Sequence, residues 1–147
     1  MQADEATAAA VHDAVQRLLK VYEAGDAEAV AGLLVDDPCL VMIGTAADEV
    51  RRGPAEARAQ FDRDMEQSEA RSLTLEWTSV SASGAVAWMA GGVTVEVTAG
   101  AEQLRFPIRL SLVLLRDDAG AWKVAQAHFS TPDASTPERQ SFPEAAG

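Results

Sequence analysis

Two polar side chains near the end of the chain have the types and the spacing to hold an anionic or enolisable compound. Arg109 and His128 lie in two strand-like runs that flank the turn formers Asp117 to Gly120. A four-residue loop there would place Arg109 opposite His128, with Cβ atoms about 5 Å apart. Arginine offers a fixed fork of donors, and histidine can carry a proton near neutral pH. We therefore predict that both residues are catalytic and face the interior of the fold.

The same loop predicts a second cross-strand pair, with Ser111 opposite Gln126 on the same face. The register is decisive, because a slip of one residue would send Arg109 and His128 to opposite faces. Two alternatives remain open. His128 could form a hydrogen bond across a dimer interface, and Arg109 could pair with a glutamate of a neighbouring strand.

Other reactive residue types have simpler interpretations. Glu76 and Glu96 are the glutamates that could pair with that arginine; we expect both at the solvated rim, and Glu96 is the better acid–base candidate. Cys39 is the single cysteine, and its apolar surroundings indicate a small buried side chain. His12 and His128 are the only histidines, and no acidic cluster has ligand spacing. We predict neither a metal site nor a cofactor.

The run Leu110 to Leu115 must be positioned by elements on both of its faces. Apart from Ser111, it is apolar at odd and even positions, whereas a strand buried on one face alternates. We expect helices of the same chain on one face and a second subunit on the other. The pattern therefore predicts a homodimer through the outer face of the sheet.

The first part of the chain has helical periodicity. One apolar stripe, typical of a helix over roughly Glu5 to Ala24, consists of Val11, Val15, Leu18, Leu19 and Tyr22. Asp26 can cap a second helix, and Cys39 to Ile43 is typical of a short strand. Gly53-Pro54 opens a third helix, whose buried side is marked by Ala57, Phe61 and Met65.

From Ser72 onward the period changes from 3.6 to 2, as in β-strands. Gly91-Gly92 indicates a bulge or bend in a long strand. Helices followed by a run of antiparallel strands predict one α+β domain over residues 1–130. Residues 131–147 are rich in proline and polar residues and are predicted to be a mobile tail.

Composition excludes several function classes. The net charge of −11 opposes binding to phosphate backbones, so nucleic acid is not an expected partner. No stretch approaches the ~20 apolar residues of a membrane span. The acidic start, MQADEATAAA, is not a signal peptide. We expect a cytoplasmic protein with no membrane partner.

Three segments of this chain carry a family resemblance. Tyr22 to Asp26 (YEAGD), Gly53 to Ala57 (GPAEA) and Gly120 to Val124 (GAWKV) resemble, in this order, segments of SnoaL-like, or nuclear transport factor 2-like, domains. The resemblance spans Val11 to Ser130, and it is strongest to the subgroup with the calmodulin-dependent kinase association domain. It implies a cystatin-like cone: a curved antiparallel sheet wrapped around three N-terminal helices, with a pocket at the wide end and a dimer interface outside.

The resemblance also allows the chemistry of known members to be compared by position. Where ketosteroid isomerases carry a tyrosine and a basic aspartate, this chain has Leu18 and Met42, and the late acid falls at Val113 or Leu114. We therefore predict no standard ketosteroid isomerase activity. The association-domain subgroup has an arginine and a hydroxyl residue on one arm, matched by Arg109 and Ser111, and two histidines on the other, matched by Gln126 and His128.

These comparisons lead to one expected function and two alternatives. We expect a small-ligand-binding domain whose pocket suits a hydrophobic compound with a carbonyl or carboxylate. The alternatives are a cofactor-free cyclase, isomerase or dehydratase, and a non-enzymatic association domain. Besides the two catalytic candidates, the residues expected to contact a ligand are Gln126, Ser111, Tyr22, Met42, Trp77 and Trp88. Trp122 is expected in the core or an interface.

Overall fold

The computed structural model describes residues 1–143; residues 144–147, the end of the predicted tail, lie outside the described part. The elements run α1 (Glu5–Glu23), α2 (Ala27–Gly32), β1 (Val41–Ile43), β2 (Val50–Arg52), α3 (Gly53–Gln67), β3 (Ala70–Ser83), β4 (Val86–Ala99), β5 (Glu102–Arg116) and β6 (Trp122–Ser130). Residues 131–143 contain turns and neither helix nor strand. None of the helices between residues 1 and 143 has the length and apolarity needed to cross a membrane.

Side-chain caps fix where the first two helices begin. Asp4 accepts a hydrogen bond from the Thr7 backbone at 2.8 Å, and Asp26 accepts one from the Ala29 backbone at 2.9 Å. The predicted cap at Asp26 is therefore confirmed. The predicted stripe of α1 faces the core: its buried members are Val11, Val15, Leu18 and Leu19, and Tyr22 is half-buried.

Helix α3 begins at a glycine with φ of +77° followed by proline, as its sequence predicts. Ala57 and Phe61 are buried against the core, which confirms two of the three residues expected there, and Met65 is half-buried. Gln60 lies between them and is only 8% exposed. Its burial was not predicted, and a buried amide requires hydrogen-bond partners.

The six strands form one sheet in the order β2-β1-β6-β5-β4-β3. Helix α1 contacts both β3 and β6, which are separated by two strands, so the sheet must curve around the helices. The α+β class with a curved sheet is confirmed. The sheet is not purely antiparallel as expected, because β1 joins β6 in parallel. The sequence analysis also missed β2, and Cys39, expected to be buried in the first strand, is exposed before it.

The β5–β6 hairpin exists, but its predicted register is wrong. The loop contains Ala121 as well, because Arg116 pairs with Trp122, and a bulge inserts one extra residue at Ala125. The two additions shift the pairing by two positions, so that Arg109 lies opposite Ser130. A shift of two residues preserves the face, so Arg109 and His128 still share one side of the sheet.

That shared side is the outer one. The β5 residues that face the helices are buried, namely Leu110, Leu112 and Leu114. The outward residues that alternate with them include Val113 and Leu115, which are half-buried in the single chain. Coverage of the outer face by a second subunit therefore stays a prediction.

The bulge expected at Gly91-Gly92 lies in the neighbouring strand instead. Strand β4 continues through both glycines, while the register of β3 shifts between Leu75 and Trp77. A Cβ added at Gly92 would overlap the Trp77 indole. The Trp77 indole therefore occupies the space beside Gly92 on the outer face, with 54% of Trp77 left exposed.

Candidate functional site

A cavity of about 230 Å³ lies between the helices and the inner face of the sheet. Most of its wall is apolar and comes from both layers, with Leu18, Val30, Phe61, Val95, Ile108 and Ala127 among the lining residues. The polar part of the wall is small and comes from three neighbouring places: the end of α1, one face of α3, and the β1–β2 turn with β2. Its members are Tyr22, Thr45, Glu49, Arg51, Gln60 and Asp64.

Asp64 is the carboxylate of this wall that has only uncharged hydrogen-bond donors in the described chain. Tyr22 donates its hydroxyl proton to Asp64 Oδ2 at 2.9 Å, and Gln60 Nε2 donates to Asp64 Oδ1 at 2.7 Å. The tyrosine ring is held edge-on against Phe61, with 6.3 Å between ring centroids. The carboxylate is thereby fixed in orientation at the polar end of the cavity.

Gln60 connects this carboxylate to the rest of the polar wall. Its amide nitrogen donates to Asp64 and also to Glu49 Oε1 at 3.1 Å, while its oxygen accepts from Arg51 Nε at 3.0 Å. Carboxylates accept and guanidinium groups donate, so these partners determine which end of the amide is oxygen. Both ends of the buried amide are satisfied.

Two carboxylates of the β1–β2 turn share an ion pair with one arginine of α3. Arg63 donates to Asp48 Oδ2 at 2.7 Å and to Glu49 Oε1 at 2.8 Å. Glu49 also accepts from the Ala46 backbone at 3.0 Å, which closes the turn. These contacts fasten the turn, whose residues 44 and 45 line the cavity, to the helix that carries Asp64.

Burial and neighbouring charges change the acidity of two groups. Desolvation raises the pKa of Asp64 above its usual value, although the hydrogen bonds from Gln60 and Tyr22 oppose that shift. Desolvation, followed by the charge of Asp64, raises the pKa of the Tyr22 hydroxyl as well. Tyr22 is therefore a neutral donor throughout the physiological range. Asp64 is a carboxylate whose affinity for a proton is increased, as a general base requires.

The cavity does not include the two residues predicted to be catalytic. Arg109 and His128 are exposed on the outer face of the sheet, so the expectation that they face the interior is wrong. Arg109 Nη2 donates to the Thr131 carbonyl at 3.2 Å. The alternative glutamate pair is wrong too: Glu96 pairs with Arg105, and Glu76 accepts from Thr94 Oγ1.

The residues expected to contact a ligand divide between the two faces. Tyr22 and Met42 line the cavity, so their contact with a ligand stays a prediction that the geometry allows. The other four lie at outward positions of the sheet and are absent from the cavity wall: Ser111, Gln126, Trp77 and Trp88. Trp122 is buried in the core, as expected.

The sequence analysis missed Asp64, Gln60, Glu49 and Arg51. A signal for two of them exists, because Ala57, Gln60, Phe61 and Asp64 are spaced i, i+3, i+4, i+7 on one helical face. Polar residues inside an apolar stripe are more informative than the apolar residues themselves. The partners of that stripe could not be identified in this way, since Tyr22 lies 42 positions away from Asp64.

Across residues 1–143 there is no group of three or more His, Cys, Asp or Glu side chains placed to hold a metal ion. The carboxylates of the cavity wall are engaged by amide, hydroxyl and guanidinium donors instead. These donors and acceptors can take part in hydrogen bonding and proton transfer.

The fold has many counterparts among solved structures. A proposed dehydratase of the NTF2-like family from Streptomyces avermitilis is 19% identical with a TM-score of 0.81, and the alignment covers 90% of this chain and 100% of that one. A proposed calcium/calmodulin-dependent protein kinase II association domain from Xanthomonas campestris is 21% identical with a TM-score of 0.73, covering 87% of both chains. An NTF2-like protein with a cystatin-like fold from Novosphingobium aromaticivorans is 20% identical with a TM-score of 0.70, covering 86% of this chain and 82% of that one.

These identities are low, so the three structures establish the cone-shaped fold and nothing about activity. No curated protein matches the chain. A family model, in contrast, matches residues 11–134, which is most of the domain and includes every polar residue of the cavity wall. The chain belongs to the SnoaL-like domain family.

Proposed function

We propose that the cavity binds a small, mainly apolar carbonyl compound and that Asp64 transfers a proton to and from a carbon atom next to the carbonyl. The observation that supports this most directly is the environment of Asp64. Its carboxylate stands at the polar end of an apolar cavity with only neutral donors bonded to it. Such an environment raises the proton affinity of a carboxylate without pairing it to a cation.

The reaction needs one base and no cofactor. The Asp64 carboxylate takes a proton from the carbon next to the carbonyl, and the electron pair of that C–H bond moves to form an enolate. The carboxylic acid then returns the proton to the same carbon or to another carbon of the enolate. The net result is exchange of the proton or isomerisation of the compound, and Asp64 regains its charge.

The dimensions of the cavity restrict the ligand. Ligand pockets commonly enclose roughly 300–1,000 Å³, and this cavity of about 230 Å³ lies below that range. Its occupant is therefore a compound of one or two rings or a short branched chain. Cyclase and dehydratase chemistry remain alternatives within this family.

The proposal is tested by exchange of α-protons into deuterated water, followed by NMR, on a panel of small ketones such as 1-indanone. We expect exchange with the natural sequence and its loss in Asp64→Asn, which keeps the size of the side chain. Asp62→Asn is the matched control, because Asp62 lies on the same helix but is exposed and bonded to Arg58. Exchange that persists in Asp64→Asn would show that another group is the base.

The hairpin residues provide a second control. Arg109→Met and His128→Asn change side chains on the outer face, so both should keep the exchange rate of the natural sequence. A large loss in either variant would mean that the outer face contributes to the site.

We also propose that the chain forms a homodimer through this outer face. The proposal is supported by a half-exposed tryptophan at Trp77 and by half-buried apolar residues at Val113 and Leu115 on the same surface. Tryptophan is enriched in interface centres. Light scattering should give twice the chain mass at micromolar concentration, and Trp77→Lys should reduce it to the chain mass. A single-chain mass for the natural sequence would exclude the dimer.

A further inference from the structure

Arg51 lies on the opposite side of Gln60 from Asp64 and also lines the cavity. It belongs to β2, a strand that the sequence analysis did not predict, and its side chain is 20% exposed. A cation in a largely apolar wall is costly unless it is bonded.

Most of the guanidinium is fixed by protein acceptors. Nε donates to Gln60 Oε1 at 3.0 Å, and Nη1 donates to the carbonyl oxygens of Asp48 at 2.7 Å and Val50 at 3.3 Å. Because the group is planar, these bonds determine its orientation. Among the described residues, the contact of Nη2 is the Asp48 carboxylate at 3.7 Å, which is too long for a hydrogen bond.

Arg51 therefore combines a fixed orientation with a nitrogen that has donor capacity to spare. Glu49, the second carboxylate nearby, accepts no hydrogen bond from Nη2, since it is bonded to Arg63, Gln60 and the Ala46 backbone. Asp64 accepts no hydrogen bond from Arg51 either, because Gln60 lies between the two side chains and bonds to both. The polar end of the cavity thus holds a base and a cationic donor separated by one amide.

We propose that Arg51 is a second catalytic residue, which binds the carbonyl oxygen of the ligand through Nη2 while the adjacent C–H group lies at Asp64. This inference rests on the proposed function. A cationic donor at the carbonyl oxygen stabilises the negative charge that develops there when the proton leaves. Arg51 then selects ligands with an oxygen acceptor, and Asp64 acts on them.

The test compares a ketone with its hydrocarbon skeleton, 1-indanone with indane, by titration calorimetry. With the natural sequence we expect the ketone to bind about ten- to a hundred-fold more tightly, the range for a hydrogen bond to a charged group. Arg51→Met should remove this preference and leave indane binding unchanged. Asp64→Asn should keep the preference and lose α-proton exchange.

Arg52→Met is the matched control, because Arg52 is the next residue in β2, is exposed and is absent from the cavity wall. It should keep the preference for the ketone. The infrared spectrum of bound 1-indanone supplies a readout that needs no Arg51 variant. The C=O stretch should move to lower wavenumber than in an apolar solvent, both in the natural sequence and in Asp64→Asn.

The outcomes separate the two proposals. If the ketone shows no shifted C=O stretch, or if Arg51→Met keeps a folded cavity and the full preference for the ketone, the role of Arg51 is excluded. If neither compound binds to the natural sequence, the proposed ligand class itself is wrong. Normal preference without exchange would refute Asp64 as the base and leave Arg51 as a binding residue.

Discussion

Removal of one hydroxyl group is the sharpest test of the candidate site. Tyr22→Phe deletes the donor to Asp64 Oδ2 and leaves the ring, whose edge-on contact with Phe61 does not involve the hydroxyl. The variant therefore reports mainly on one hydrogen bond of 2.9 Å between α1 and α3. No cavity larger than one oxygen atom is created, so losses from repacking should be small.

The magnitude depends on whether Asp64 carries a charge. A hydrogen bond to an ionised group contributes about 1.5–3 kcal/mol, and one between neutral groups about 0.5–1.5 kcal/mol. We expect Tyr22→Phe to lower the free energy of unfolding by about 1.5–3 kcal/mol at pH 8. The loss of stability should be smaller at acid pH, where Asp64 is protonated. Without the Tyr22 hydroxyl the pKa of Asp64 rises further, so the variant becomes protonated at a higher pH than the natural sequence.

Urea unfolding followed by tryptophan fluorescence measures both values, since Trp122 is buried in the core. A double-mutant cycle with Asp64→Asn, whose amide oxygen can still accept a hydrogen bond, measures what the charge of Asp64 adds to the bond, and we expect a coupling of about 1 kcal/mol at pH 8 that disappears at acid pH. Equal losses at the two pH values, or a loss below about 0.3 kcal/mol at both, would refute the Tyr22–Asp64 bond as described.

Two further predictions concern the charge and the space in the cavity. Burial raises the pKa of folded Asp64 above the usual 3.8. Between the unfolded and the folded pKa, the folded state therefore binds more protons than the unfolded state, and the free energy of unfolding falls as pH rises through the folded pKa. Asp64→Asn should therefore gain stability relative to the natural sequence as pH increases from about 4 to 8 in thermal unfolding. Asp62→Asn should show no such gain. The same pH dependence in both variants would contradict a raised pKa at Asp64. Ala127→Leu, at a cavity wall position with 2% exposure, should abolish calorimetric binding of 1-indanone at a stability cost of at most about 1–3 kcal/mol; unchanged binding would place the ligand elsewhere.

The sequence predicts this fold well because its signals are local. The spacing of Val11, Val15 and Leu18, the cap at Asp26 and the Gly53-Pro54 entry of α3 each depend on residues within a few positions. The alternation of β4 likewise needs no knowledge of its partner strands. Elements of this kind agree with the structure to within a few residues at their ends.

The hairpin register failed for a specific physical reason. It was inferred from a loop of four residues, and it required the pairing to continue without interruption to Arg109. Ala121 extends the loop by one residue, and the bulge at Ala125 adds another. Bulges are set by packing of the surrounding sheet and leave no distinct local pattern in a run of small apolar residues. The choice of face failed independently, because a shift of two residues leaves Arg109 and His128 on one side of the sheet, and the inner face is occupied by Leu110 and its even-numbered neighbours.

The site could not be assembled from the sequence because its members are brought together by tertiary contacts. Tyr22 lies in the last turn of the first helix, Glu49 precedes the three-residue strand that contains Arg51, and Asp64 lies near the end of the third helix. Only the polar positions inside the stripe of α3 are visible in one segment. Arg109 and His128 were predicted to be catalytic largely from their residue types, whereas Asp64 has the sequence pattern of an ordinary solvated charge on a helix.

The arrangement of charge in the cavity wall explains why a glutamine stands at its centre. If Arg51 were bonded directly to Asp64, the cation would lower the pKa of the carboxylate and weaken it as a base. Gln60 bonds to both and carries no charge, so it fixes the orientation of each without pairing them. Arg63 is bonded to Asp48 and Glu49 instead of to Asp64, although its charge still lowers the pKa of Asp64 as a minor cause. The same amide that satisfies the buried groups therefore keeps the proposed base and the proposed donor from bonding to each other.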